Sequence, residues 1–114
     1  MDSLELILLF DYYGDLLTER QRLCFDMHYN QDLSLGEIGQ ELGISRQAAH
    51  DNLTRTEALL KNMEAKTGCV RRDMQCRKAI REIAEAAEIL AAHGDPVVAE
   101  QAKCILKATA TVEE

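Results

Sequence analysis

Between Ser34 and Ala49 the chain reads Ser-Leu-Gly-Glu-Ile-Gly-Gln-Glu-Leu-Gly-Ile-Ser-Arg-Gln-Ala-Ala, and few backbone paths suit that order. Ser34 with Glu37 three residues on is a capping box, in which each side chain satisfies a backbone N–H that the first turn of a helix leaves unpaired. Leu35, Ile38 and Leu42 recur at helical spacing and mark one buried face. Gly43 follows at once, and a glycine there ends a helix in the left-handed conformation without a Cβ clash. Ser45 caps the next helix, with Ala49 and Leu53 turned inward behind it. Two helices joined by a tight glycine turn make a helix-turn-helix.

The flanking segments also carry helical periods. Asp2 or Ser3 is expected to cap a helix running to about Tyr13, with Leu4, Ile7, Leu8 and Phe10 as its apolar stripe and Gly14 as its stop. Thr18 and Gln21 form a second capping box. The helix it opens has Leu23, Phe25 and Met27 inward and ends near Asn30-Gln31-Asp32. The Ser45 helix does not end where a minimal recognition helix would. Ala49, Leu53, Thr56, Leu60 and Met63 continue an alternating four-three spacing toward Gly68, the pattern of a seam that seeks a partner helix. Glu57 and Lys61, four apart in the favourable order, support the solvent face.

Beyond the Thr67-Gly68 break, a long helix is predicted from about Val70 to Ala92, with Cys76, Ile80, Ile83, Ala87 and Leu90 as its stripe. Its outer face places Arg71, Arg72, Arg77, Lys78 and Arg81 before Glu82, Glu85 and Glu88, the order that opposes the helix dipole. Either the basic end has a second use or the order reflects surface drift. His93-Gly94-Asp95-Pro96 reads as a turn, with Pro at the first position of a last short helix carrying Val98, Ala102, Ile105 and Thr109. Residues from Val112 to Glu114 are expected to be loose. No segment alternates with period two, and 46% hydrophobic content with only 4% aromatic and no Trp suits helices packed on helices. The expected fold is all-α: a helix-turn-helix domain over residues 1–67, then long C-terminal helices over residues 68–114 for packing and dimerisation.

Charge limits what the motif does. The net charge is -7, and residues 1–66 hold six cations against twelve carboxylates. With Ala49 and Leu53 inward, the outward set is Arg46, Gln47, His50, Asp51, Thr54 and Arg55. Arg46 and Gln47 are the types that pair with guanine and adenine edges, and Arg55 suits a phosphate. Asp51 on the same face repels the phosphate backbone, although it can accept from a cytosine amino group. A protein making roughly six to ten phosphate contacts needs cations around this helix. Specific DNA binding by one protomer is therefore expected to be weak. The candidate nucleic-acid-binding residues are Arg46, Gln47, His50, Asn52, Thr54 and Arg55.

No catalytic or cofactor chemistry is apparent. Gly36, Gly39 and Gly43 do not precede the Gly-Lys-Ser/Thr of a phosphate loop. His28, His50 and His93 have no Cys, Asp or Glu at metal-ligand spacing. The cysteines at 24, 69, 76 and 104 form no Cys-x-x-Cys pair, and Cys76 and Cys104 read as packing thiols on apolar faces in a reducing compartment. The amino-terminal apolar run lacks a preceding cationic region and is broken by Glu5 and Asp11, so neither a signal peptide nor a membrane span is expected. The expectation is a cytoplasmic protein that is not an enzyme and uses no cofactor or metal.

The run Leu17-Thr18-Glu19-Arg20-Gln21-Arg22, then Leu33-Ser34-Leu35-Gly36-Glu37-Ile38 and Leu42-Gly43-Ile44-Ser45-Arg46-Gln47-Ala48-Ala49, resembles domain 4 of sigma-70-type factors, which reads the promoter −35 element. That family usually has basic residues where this chain has His50 and Asn52. A closer resemblance covers most of the chain. Leu9-Phe10-Asp11-Tyr12-Tyr13 before the Leu-Leu-Thr run, and Ser45-Arg46-Gln47-Ala48-Ala49-His50-Asp51-Asn52 with Arg55-Thr56 after it, resemble the YlxM family of small bacterial helix-turn-helix proteins. That resemblance implies a link to the signal recognition particle pathway, since genes of this family lie beside the gene of its GTPase. The implied partners are that GTPase, its receptor or its RNA; no catalytic residue is implied. Two other readings stand beside it: a DNA-binding transcriptional regulator acting as a dimer, and an adaptor whose helix-turn-helix serves only as a scaffold. All three share an expected homodimer, because the carboxy-terminal helices carry more apolar stripe than the head can cover.

Overall fold

Side-chain caps decide where the helices begin. In the computed structural model, which describes residues 2–112, Asp2 Oδ1 accepts from the Glu5 N–H at 2.9 Å and opens α1 (Ser3–Tyr13). Thr18 and Gln21 close a reciprocal box that opens α2 (Glu19–Tyr29), and Ser34 and Glu37 do the same for α3 (Leu35–Leu42). Ser45 Oγ accepts from the Ala48 N–H at 3.0 Å at the start of α4 (Arg46–Thr67). Gly68, at φ 60°, turns the chain into α5 (Cys69–Ala91), and Pro96 stands first in α6 (Pro96–Val112). Asp95 Oδ1 caps α6 through the Val97 N–H, while His93 Nδ1 accepts from the Asp95 N–H at 3.0 Å. There is no strand among the described residues, and the fold is all-α.

Two compact units divide the chain, residues 1–70 and residues 71–114. In the first, α4 packs against α1, α2 and α3. Ala49, Leu53, Thr56 and Leu60 of α4 are buried and Met63 packs at the edge of the cluster, the seam that the four-three spacing predicts. Phe25 has no exposed surface and stacks between Phe10 and Tyr29, with ring centroids 4.4 and 4.5 Å away. This unit runs past the expected break at residue 67 because Val70 belongs to its core and donates its N–H to Glu64 Oε1 at 3.0 Å.

Several expected faces turn out differently. In α1 the buried side chains are Leu6, Leu9 and Tyr13, with Ile7 and Phe10 beside them, whereas Leu4 and Leu8 are exposed. The helix is apolar nearly all round, so spacing alone does not orient it. What orients it is polar: the Tyr13 hydroxyl reaches Glu64 Oε1 at 2.7 Å and Thr67 Oγ1 at 2.6 Å. Gly14 does end α1 as its C-cap, in the right-handed region, and leads into a 3-10 turn (Gly14–Leu16) beneath the Phe10 ring. In α2, Cys24 and Phe25 are buried and Leu23 is exposed, because the aromatic stack fixes the rotation of the helix. Cys24 is therefore the fully buried thiol, while Cys76 and Cys104 are exposed. Glu57, expected beside Lys61 in solvent, instead turns inward and accepts from the Tyr29 hydroxyl of α2.

In the second unit, Ala87 and Ala102 are buried, but Cys76, Ile83, Leu90 and Ile105 of the expected stripes are exposed. Two helices alone cannot enclose a wide apolar face, so only a narrow line is covered. The last helix is long rather than short and includes Val112; the expected looseness of Glu113 and Glu114 lies outside the described residues.

Three weak acids in the first unit predict an alkaline sensitivity. Burial pushes the Tyr13 and Tyr29 hydroxyls up, with the Glu64 and Glu57 carboxylates adding to it, and burial pushes the Cys24 thiol up. Each is neutral when folded and ionises more readily when unfolded. Their contribution is complete below the unfolded values and is lost as pH rises toward the folded ones. Melting temperature should therefore fall above about pH 9 to 10, the ordinary thiol and phenol range. Tyr29→Phe should flatten that fall, as circular dichroism melts at stepped pH will record; an unchanged slope would remove Tyr29 as a source.

Candidate nucleic-acid interface

The corner between α3 and α4 is built on close backbone approach. Gly43 takes φ 68°, the left-handed value that a side chain rarely tolerates. The Ile44 N–H then returns to the Gly39 carbonyl at 2.9 Å. A Cβ on Gly39 would stand 2.6 Å from the Ile44 carbonyl oxygen, so the turn is pressed directly onto the last turn of α3. Gly39 is a structural determinant of the corner that helical periodicity does not disclose. The only sequence signal is a glycine in the middle of an eight-residue helix.

Burying Ala49, Leu53 and Thr56 turns the opposite face of α4 outward. Arg46, Gln47, His50, Thr54 and Arg55 are all exposed, as is Asp51. Helical spacing sets Gln47, Asp51 and Arg55 in one row and Arg46, His50 and Thr54 in the next. Asp51 dominates the middle of this surface. Its Oδ1 accepts from Gln47 Nε2 at 3.0 Å and lies 3.6 Å from His50 Nδ1. One of the two expected base readers, Gln47, is thus engaged by a carboxylate on its own helix, with His50 beside it.

Asn52 behaves differently from the other five candidates. It is half-buried, and its Oδ1 accepts from the hydroxyl of the buried Thr56 at 3.4 Å. It lines a groove of about 350 Å³ between the start of α2 and α4, together with Thr18, Gln21, Ala48, Asp51 and Arg55. Thr18 and Gln21 were legible only as a capping box, yet the packing of α2 on α4 brings both beside Arg55. The groove mixes hydroxyl, amide, carboxylate and guanidinium groups. Such a set can donate to a phosphate through Arg55 or pair with polar and charged groups of a protein. On α2, Arg22 lies 3.6 Å from Asp15, which offsets its charge locally. No cluster of three or more His, Cys, Asp or Glu suited to a metal occurs among the described residues.

Residues 1–94 match the model of the family described as "Putative helix-turn-helix protein, YlxM / p13 like". A UPF0122 protein of Desulforamulus reducens is 43% identical, over 88% of this chain and 86% of its own. A UPF0122 protein of Acetivibrio thermocellus is 39% identical over 96% of this chain and 92% of its own. One from Bacillus cereus reaches 53% identity over 51% of this chain and 53% of its own.

Proposed function

We propose, from the premise that this chain belongs to the YlxM / p13-like helix-turn-helix family, that it is a regulatory accessory of the signal recognition particle pathway. In this reading it acts in the cytoplasm by contact with protein or RNA and carries out no reaction of its own. The observation that carries the choice of protein contact over nucleic-acid reading is Asp51; the RNA alternative rests on the family link alone. A carboxylate central to the outward face of α4, engaging Gln47 and lying beside His50, opposes a phosphate backbone. It suits a basic surface such as an RNA-binding protein presents. The pathway itself rests on the family link. No helix among the described residues is long and apolar enough to cross a membrane.

A second reading, a helix-turn-helix transcriptional regulator, is favoured by one observation. The capped corner sets Arg46 outward at the first turn of α4, where a recognition helix meets base edges, and Arg55 beside a polar groove. Homodimerisation would double those cations, and the exposed Ile83, Ile89, Leu90 and Val97 of the second unit supply apolar surface for it.

Binding of the full chain to mixed-sequence DNA, to signal recognition particle RNA and to the purified GTPase separates these readings. The accessory reading expects saturable binding to the GTPase or its RNA and only weak DNA binding. A DNA affinity falling steeply between roughly 50 and 200 mM salt, its slope reduced by about one unit in Arg46→Ala and again in Arg55→Ala, would establish the regulator instead.

A further inference from the structure

Helix α1 has two apolar faces, and the first unit uses only one. Leu6, Leu9 and Tyr13 are buried, while Leu4, Leu8 and Tyr12, each four residues from the next, are 78%, 38% and 49% exposed. Leu16 extends the row at 69%. Helical spacing puts this row opposite the buried one. Its borders are exposed carboxylates: Glu5, Asp11 and Asp15, with Asp2 at one end and Glu19 at the other. No Lys or Arg precedes Arg20 in the chain. Arg22 offsets Asp15 at 3.6 Å, so the negative border lies mainly at Glu5 and Asp11, and an apolar row with such a border fits an apolar side chain bordered by positive charge.

The same chain carries that complement. On α5, Met74 is 54% exposed, and Lys78 and Arg81, four and seven residues later on the same helix face, are exposed with it, while the exposed Glu85 follows one turn beyond Arg81. Neither cation is needed by the apolar line around Ala87, which lies on another side of the helix. We propose that the α1 row of one protomer receives the Met74, Lys78 and Arg81 face of α5 from a second copy of this chain. Two-fold symmetry makes the contact twice, each copy giving its α1 and its α5. This inference rests on the homodimer reading and assigns its surfaces. It also gives two cations of the basic half of α5 a role: Lys78 and Arg81 face the carboxylates of α1.

Charge exchange tests the contact. One variant carries Glu5→Lys with Asp11→Lys; the other carries Lys78→Glu with Arg81→Glu. All four positions are exposed, and unchanged circular dichroism melts certify folding. Sedimentation of the full chain at micromolar concentration should show a dimer that weakens with salt. Each variant alone should self-associate about tenfold or more weakly. Mixing the two should restore a heterodimer, because every α1 then meets an α5 of opposite sign. A wild-type monomer would overturn both the contact and the homodimer. A dimer insensitive to either variant would overturn the contact and leave the homodimer standing on other surfaces. Restoration only when all four substitutions share one chain would place the pairing within a single protomer and overturn the proposal.

Discussion

Gly39→Ala is expected to destabilise the first unit by about 2 to 3 kcal/mol, the cost of forcing an extra carbon into a filled site. The added Cβ would meet the Ile44 carbonyl oxygen at 2.6 Å, and behind it the Ser45 carbonyl carbon at 3.4 Å and the Arg46 nitrogen at 3.5 Å. All three are backbone atoms, so no side chain can rotate away. Relief requires moving the start of α4 off α3, which breaks the Ile44 N–H bond to Gly39 and shifts Arg46 and Gln47. In a domain of this size about 2 kcal/mol corresponds to a fall of roughly 8 to 16 °C in melting temperature. Gly36→Ala supplies the control with opposite sign. A Cβ there meets only Ser34 Oγ at 3.9 Å, so the helix should gain about 0.5 to 1 kcal/mol from the lost flexibility of glycine. Paired urea titrations decide the matter: two variants of equal stability would mean that the corner is not closed on Gly39.

The contrast between those glycines shows where sequence reading succeeds and stops. Ser34, Glu37, Gly43 and Ser45 announce the helix-turn-helix because capping is local chemistry, read within four residues of itself. The α4 seam was legible for a related reason: Ala49, Leu53 and Thr56 are separated by polar residues, so their spacing has one solution. Helix α1 offers no such contrast. Six of its eleven residues are Leu, Ile or Phe, and the rotation is settled by Tyr13 reaching Glu64 and Thr67 more than fifty residues away. In α2 an aromatic stack with α1 chose Phe25 and Cys24 over Leu23, again through a distant partner.

The candidate interface divides the same way. Its outward residues followed from its inward ones, so Arg46, Gln47, His50, Thr54 and Arg55 were placed correctly on the surface of α4. The hydrogen bonds among them were not legible. Asp51 could be counted as an unfavourable charge, but not as the acceptor that engages Gln47. Asn52 is a candidate that helical spacing does not place in the outward set, and its Oδ1 accepts from the buried hydroxyl of Thr56. The groove beside Arg55 depends on where α2 begins relative to α4, a tertiary fact with no counterpart in local spacing.

Phe25→Ala should have the largest effect on stability. The ring is wholly buried and contacts Phe10 at 4.4 Å and Tyr29 at 4.5 Å between centroids. Truncating such a residue costs about 3 to 5 kcal/mol, combining lost transfer energy with the cavity left behind. A domain of roughly 70 residues has a total stability of only about 3.5 to 10 kcal/mol, so the substitution removes between about a third and all of it. Leu23→Ala, two residues away but exposed, should change stability by about 0.5 kcal/mol or less. Urea titration followed by circular dichroism measures both. The consequence for recognition is indirect and therefore informative. Phe25 lies in the core that joins α1 and α2 to α4, whereas the outward residues of α4 are untouched by the substitution. If the protein works through a preformed α4 surface, partner binding should disappear with the cooperative unfolding transition. It should return when the unit is refolded by lower temperature or a stabilising osmolyte. Binding that survives in the unfolded variant would mean that the partner reads a linear segment, and that the packed helix-turn-helix is not the recognition element.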